Sequence, residues 1–268
     1  MSSLGKQIRL ARVFDTGSKR VVGIAMDHGM STPAEGGLAR IKDTIGAAVE
    51  AGADAVMINK GIVKHCFVDY VGSNTSIICK LGGATRTSKG RSMQIATPEE
   101  ALFYGADMAS CAFIYNSAHD SETLGLIGKL SRECEQLGLP FMVHAYARGE
   151  LLAKEQHLNP RELKLAVRAA AEAGADIVKT SYPGTIEGLQ EVMSVCPVPV
   201  VIAGGHSRLG DMEFLQVIQD SIKAGARGVM AGTNVWIHKD PGGMVRALRR
   251  VIHEDASVEK ALAEIRAK

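Results

Sequence analysis

A chain of 268 residues, 46% hydrophobic and 22% charged, is long enough to bury one large core. Its 31 basic and 29 acidic residues leave a formal net charge of +2 spread along the chain. That balance gives no electrostatic footprint for nucleic acid or an anionic membrane, so any anion site must be local.

No stretch approaches the ~18 apolar residues of a membrane span, and the start Met1-Ser-Ser-Leu-Gly-Lys6 lacks the apolar core of a secretory signal. Arg9 and Arg12, with no acid before Asp15, faintly resemble a transit peptide but read as a short amphipathic helix over 5–14. Cys66, Cys79, Cys111, Cys134 and Cys196 form no C-x-x-C pair and read as reduced, mostly buried thiols, which fits a cytoplasmic protein.

Further along, one joint recurs: Ala51-Gly-Ala-Asp54, Tyr104-Gly-Ala-Asp107, Ala173-Gly-Ala-Asp176 and Ala224-Gly-Ala-Arg227. Each closes an amphipathic segment and opens an apolar run, and its Gly can take the left-handed conformation that ends a helix. Strands are expected at 21–26, 55–59, 76–81, 108–115, 140–146, 176–182, 198–203 and 228–231, with the joints before the second, fourth, sixth and eighth. Thr97-Pro98 and Asn159-Pro160 start helices, each with a cap residue, Pro at the first helical position and Glu at the third. The short segment between strands two and three makes its helix the weakest expectation. A helix over 257–268 follows the last unit, and no linker or low-complexity tract divides the chain. The expectation is one domain, 1–268, folded as an α/β (β/α)8 TIM barrel with extra N- and C-terminal helices.

The sixth strand contains a lysine, Lys179, where continuous Val, Ile and Leu would be normal. Either it pairs with a buried carboxylate or its amine is desolvated to act as a nucleophile toward a carbonyl. Lowering a lysine from about 10.4 to about 7–8 takes roughly 4 kcal/mol of differential interaction, so the second reading requires a built site. The C-terminal strand ends of a barrel are where such a site belongs. There the chain carries Asp27-His28-Gly29, Asn59-Lys60-Gly61, Lys80, His144-Ala-Tyr146-Ala-Arg148, Gly204-Gly205-His206 and Gly232-Thr233-Asn234. Asp27, Tyr146 and Lys179 make a carboxylate, a phenol and an amine able to converge on one carbonyl. Gly204, Gly205, Gly232 and Thr233 lie after strands seven and eight, where barrels commonly bind phosphate. Lys60 either depresses Lys179 by like charge or pairs with an acid. Arg86, Lys89 and Arg91 read as a solvated basic loop unless it closes as a lid. His28, His144, His206 and His238 raise a metal alternative, but no metal-ligand spacing supports it, and no cofactor is expected.

These motifs, together with Asn59-Lys-Gly-Ile-Val63, Ile177-Val-Lys-Thr-Ser-Tyr-Pro-Gly184, Pro197-Val-Pro-Val-Val-Ile-Ala-Gly-Gly205 and Val258-Glu-Lys-Ala-Leu-Ala-Glu-Ile-Arg266, resemble in order the archaeal-type class I aldolases. The resemblance implies a cytoplasmic homo-oligomer, often a decamer, with Lys179 forming the Schiff base, Tyr146 donating a proton and Asp27 accepting one. It implies a small ketose phosphate as donor, with either aspartate semialdehyde as acceptor on a route to aromatic amino acids, or fructose-bisphosphate chemistry. His28, Gly29, Lys60, Arg148 and the two glycine turns would bind substrate. Two departures stand out: the family's Gly-Gly-Pro is here Gly-Gly-His206, and its Gly-Arg-Asn is Gly232-Thr233-Asn234, without the bidentate phosphate partner.

Overall fold

The four repeated joints are where helix becomes strand. Gly52, Gly105, Gly174 and Gly225 have φ of 82°, 79°, 99° and 109°, a left-handed backbone that Gly adopts without a Cβ penalty. A computed structural model describes residues 3–88, 90–205 and 209–266; Lys89 and His206, named above, lie outside the described residues.

The strands are β1 (Val21–Ala25), β2 (Ala55–Asn59), β3 (Ser76–Lys80), β4 (Met108–Tyr115), β5 (Phe141–Ala147), β6 (Ile177–Thr180), β7 (Val200–Ala203) and β8 (Gly228–Ala231). They close into one parallel barrel in the order β1-β8-β7-β6-β5-β4-β3-β2. This is the TIM-barrel architecture. Helices α1 (Leu4–Val13), α2 (Ile41–Glu50), α3 (Lys60–Cys66), α4 (Pro98–Phe103), α5 (Asp120–Gln136), α6 (Pro160–Glu172), α7 (Ile186–Met193), α8 (Asp211–Ala224), α9 (Thr233–Trp236), α10 (Pro241–His253) and α11 (Val258–Arg266) complete it. The capping box at Thr97 forms in full, and Asn159 caps α6 by accepting the Arg161 N–H at 3.0 Å.

Some boundaries differ from the sequence expectation for local reasons. β5 starts at Phe141 because Pro140 has no N–H for the ladder. β6 stops short of Tyr182, and Asp176 before it turns its carboxylate to the Phe141 N–H at 2.9 Å. The segment after β2 does form a helix, α3, followed by a single 3-10 turn at Val68–Tyr70. The long segment after β3 folds into a small antiparallel ribbon, Gly82–Gly83 against Met93–Gln94.

Strand alternation divides the core into two shells. Val21, Ala25, Ala55, Met57, Ile78, Met108, Met142, Ile177, Val201 and Met230 point inward and pack on one another. Val13 of α1 joins this cluster with Leu10 and Phe14 against it, so α1 plugs the N-terminal mouth of the barrel. Val22, Ile24, Val56, Ile58, Val143 and Val178 point outward under the helices. The acids of the repeated joints lie at the plugged end. Asp54 accepts from the Val22 N–H at 2.6 Å, Asp107 from Arg12 at 3.2 Å, and Asp176 from Lys6 at 2.9 Å.

Candidate active site

At the open end the inward positions change character. Continuing the alternation of each strand, Asp27 follows Ala25, Lys80 follows Ile78, His144 and Tyr146 follow Met142, and Lys179 follows Ile177. These side chains line one cavity of about 840 Å³, together with His28 and Arg148. Lys179 is only 5% exposed and is the register partner of His144 on the neighbouring strand. Asp27 is buried and forms an ion pair with Lys80. Asn59 donates its amide to the Asp27 carbonyl at 3.2 Å, which holds the end of β1 in place. The Arg148 guanidinium lies 4.3 Å from the centre of the Tyr146 ring. Gly149 fixes that arrangement: a Cβ there would come within 2.1 Å of the Asn116 backbone, so only glycine lets the chain turn so closely.

The electrostatics follow from one carboxylate facing several cations. Burial pushes the Lys179 ammonium down and Asp27 pushes it back up, but Lys80 and Arg148 add repulsion, leaving it at about 8. Burial disfavours ionised Asp27, yet Lys80, His28, Lys179 and His144 outweigh that and hold its carboxyl well below the usual range. Lys80 also loses solvation, and its Asp27 partner more than compensates, so Lys80 remains charged. Burial pushes the Tyr146 phenol up to about 12 despite Arg148. The result at neutral pH is an ionised Asp27, a protonated Tyr146 and an amine that gives up its proton readily.

Residues 21–238 match the model of the DeoC/LacD family aldolases. The chain belongs to the DeoC/LacD aldolase family. Among its relatives, a 2-amino-3,7-dideoxy-D-threo-hept-6-ulosonate synthase of Halobacterium salinarum is 36% identical over 98% of this chain and 97% of its own. A 3-hydroxy-5-phosphonooxypentane-2,4-dione thiolase of Salmonella typhimurium is 31% identical over 96% of this chain and 85% of its own. A solved Schiff-base-forming fructose-1,6-bisphosphate aldolase, 26% identical, superposes with a TM-score of 0.82 over 92% of this chain and 99% of its own. On these matches the enzyme is a class I aldolase.

Not every residue read from the sequence reaches the aldolase cavity. Lys60 stands outside it: Asn59 takes the inward position at the end of β2, so the next side chain points out and pairs with Glu100 at 2.7 Å. The second lysine of the site is instead Lys80. Its signal was present in the sequence, since Lys80 shares the alternation of Ile78 while Lys60 breaks that of Met57 and Asn59. Of the three described imidazoles among the metal candidates, His28 and His144 face the cavity, whereas His238 lies 3.3 Å from Asp211 in a separate hollow. Among the described residues no group of three or more His, Cys, Asp or Glu could hold a metal. Gly204, Gly205, Gly232 and Thr233 sit beside the cavity rather than among its described lining residues. A Cβ on Gly232 would meet the His28 ring at 2.8 Å, and Gly205 has φ of 81°. Asn234 ties this corner together, donating to the Gly204 carbonyl at 2.7 Å and accepting the Leu209 N–H at 3.1 Å. Ala84, Gly90 and Ser92 bring the loop after β3 to the cavity edge, while Arg91 pairs with Glu122 outside it at 2.9 Å. No helix among the described residues is long and apolar enough to cross a membrane.

Proposed function

We propose that Lys179 is the Schiff-base lysine of this aldolase, with Tyr146 as proton donor and Asp27 as proton acceptor. The observation that carries this reading is the buried Lys179 amine, held at about 8 beside a second lysine, in a cavity that also presents a carboxylate and a phenol. At pH 7 about one Lys179 in ten is then the free amine, roughly 300 times the fraction of a lysine at 10.5. The amine adds to the ketone carbon: a C–N bond forms, and the carbonyl oxygen takes a proton and leaves as water. The iminium accepts the electrons of the C–C bond next but one to nitrogen, giving an enamine when that bond breaks. Tyr146, protonated at neutral pH, supplies the proton to departing oxygen, and ionised Asp27 takes the proton released from substrate. No metal is needed as electron sink in this scheme, and turnover is expected to survive a chelator.

The donor in this reading is a ketose phosphate, its phosphate taken at the corner of Gly204, Gly205, Gly232 and Thr233 beside His28 and Gly29, with Arg148 as the nearby cation. The preferred acceptor is aspartate semialdehyde, as for the amino-heptulosonate synthases, which places the enzyme on the way to aromatic amino acids. Fructose-bisphosphate cleavage is the second reading, favoured by the superposition on the Schiff-base-forming aldolase. Product analysis with aspartate semialdehyde against glyceraldehyde 3-phosphate separates the two. Residues 1–268 form one domain in this view, working in the cytoplasm as a homo-oligomer of up to ten subunits. The exposed side chains of Phe103 and Val71 supply apolar surface that self-association would cover.

Borohydride trapping with dihydroxyacetone phosphate, followed by peptide mapping, tests the core assignment. A label on Lys179 supports it, and turnover of any ketose without that label rejects it. Tyr146→Phe is expected to slow turnover by about 10²- to 10⁴-fold while the imine still forms.

A further inference from the structure

His144 has no part in the scheme above, yet it occupies the floor of the cavity. It is 3% exposed, lines the cavity, and its Nε2 is buried without a hydrogen-bond partner. A buried polar nitrogen left unpaired by the protein is costly, so Nε2 calls for a polar partner from within the cavity it lines. His144 and Lys179 are register partners on adjacent strands, and both alternate inward. Their backbones are therefore about 5 Å apart, at one depth in the barrel. Tyr146 stands two residues further along β5, about 6–7 Å nearer the mouth. Once Lys179 holds the ketone carbon, Tyr146 and Arg148 face the side toward the mouth. His144 lies below them, on the strand position beside the one that carries the Lys179 amine, toward the closed side of the cavity.

The chemistry of the ring narrows what it reads. Burial, with Lys179 and Lys80 close by, holds the His144 imidazole neutral well below its usual range, so it is a poor acid for a departing oxygen. A neutral imidazole nitrogen is either a donor or an acceptor, and a hydroxyl can answer both. A bare ketone oxygen or a methyl group cannot.

We propose that His144 Nε2 hydrogen-bonds a hydroxyl on the carbon adjacent to the one Lys179 attacks, so that the enzyme selects α-hydroxyketones over their deoxy analogues. This rests on Lys179 being the Schiff-base lysine. A site that pairs a substrate hydroxyl discriminates against the analogue lacking it because the buried partner is then left unpaired.

The test is borohydride trapping on Lys179 with hydroxyacetone and, separately, acetone, in the wild-type protein and in His144→Phe, His144→Met and His144→Gln. The readout is the ratio of half-labelling concentrations for the two ketones, which cancels general losses of folding or amine reactivity. Wild type is expected to favour hydroxyacetone by at least about tenfold more than the Phe and Met variants do, one hydrogen bond to a buried group. Gln, which restores a polar amide at similar reach, is expected to recover part of the preference. Two apolar replacements keep the test alive should one of them not fold. A ratio in the Phe or Met variant within twofold of wild type overturns the proposal, whether labelling falls for both ketones or for neither. Turnover of a ketose by the wild type with no label on Lys179 would instead reject the Schiff-base assignment itself.

Discussion

The two ends of this barrel each bury a lysine beside an aspartate, and the same pair of residue types produces opposite results. At the plugged end Lys6, 3% exposed, has two carboxylates to itself, Asp176 at 2.9 Å and Glu135. Burial opposes its charge, the two anions win, and its pKa is raised. At the open end Asp27 faces Lys80, Lys179 and Arg148, with His28 and His144 around it. One anion satisfies one lysine, Lys80, and leaves the second with a depressed pKa. Burial lowers both lysines, and the number of anions each then meets separates a lysine that fastens the fold from one able to attack a carbonyl.

This contrast can be broken from either end. Lys179→Met is expected to bring turnover to background and, at the same time, to stabilise the protein at pH 7. A lysine lowered from 10.5 to about 8 by folding costs up to about 3 kcal/mol while protonated. The sign is fixed by linkage: the unfolded chain binds the extra proton, so the penalty is full below pH 8, shrinks as pH rises through 8, and is gone above 10.5. Urea titrations at pH 7 and pH 10.5 check it, and a variant less stable than wild type at pH 7 contradicts it.

Lys6→Met should do the reverse, lowering stability by about 1–3 kcal/mol with turnover unchanged. Removing one partner of a buried pair strands the other, and the exposure of Glu135 moderates the loss. Because Lys6 is raised, its contribution is full below pH 10.5 and lost only as pH rises above that. The same titrations measure it.

Lys80→Met sharpens the open end. With that cation gone, Asp27 turns to Lys179, whose pKa rises, and the acid limb of the pH–rate profile should move to higher pH. An unmoved limb would show that Lys80 does not tune the nucleophile. The smallest effect belongs to Lys60→Met: its pair with Glu100 is a half-exposed contact outside the cavity, so turnover, pH profile and stability should match wild type within error.

Much of this was legible before any coordinates. The eight strands stand out as apolar runs opened by Gly-Ala joints or bounded by Gly and Pro, because a strand buried on both faces must be apolar throughout and a helix must be ended before it. Lys179 was visible as the exception to that rule. Asp27 and Tyr146 were visible as polar groups at strand ends, where a barrel opens.

Strand alternation already separates an inward Lys80 from an outward Lys60, but only the closed barrel decided which carboxylate the inward lysine meets. Lys60 and Lys80 look alike as residues at strand ends, but pleating turns one outward to Glu100 and the other inward to Asp27. Nothing local in the sequence states that β1 and β3 bring Asp27 and Lys80 together across β2, or that α1 carries Lys6 to Asp176, 170 positions away. Strand identity is a matter of local composition, which a sequence displays directly. Charge balance in a buried site is a sum over side chains that meet only when the barrel closes.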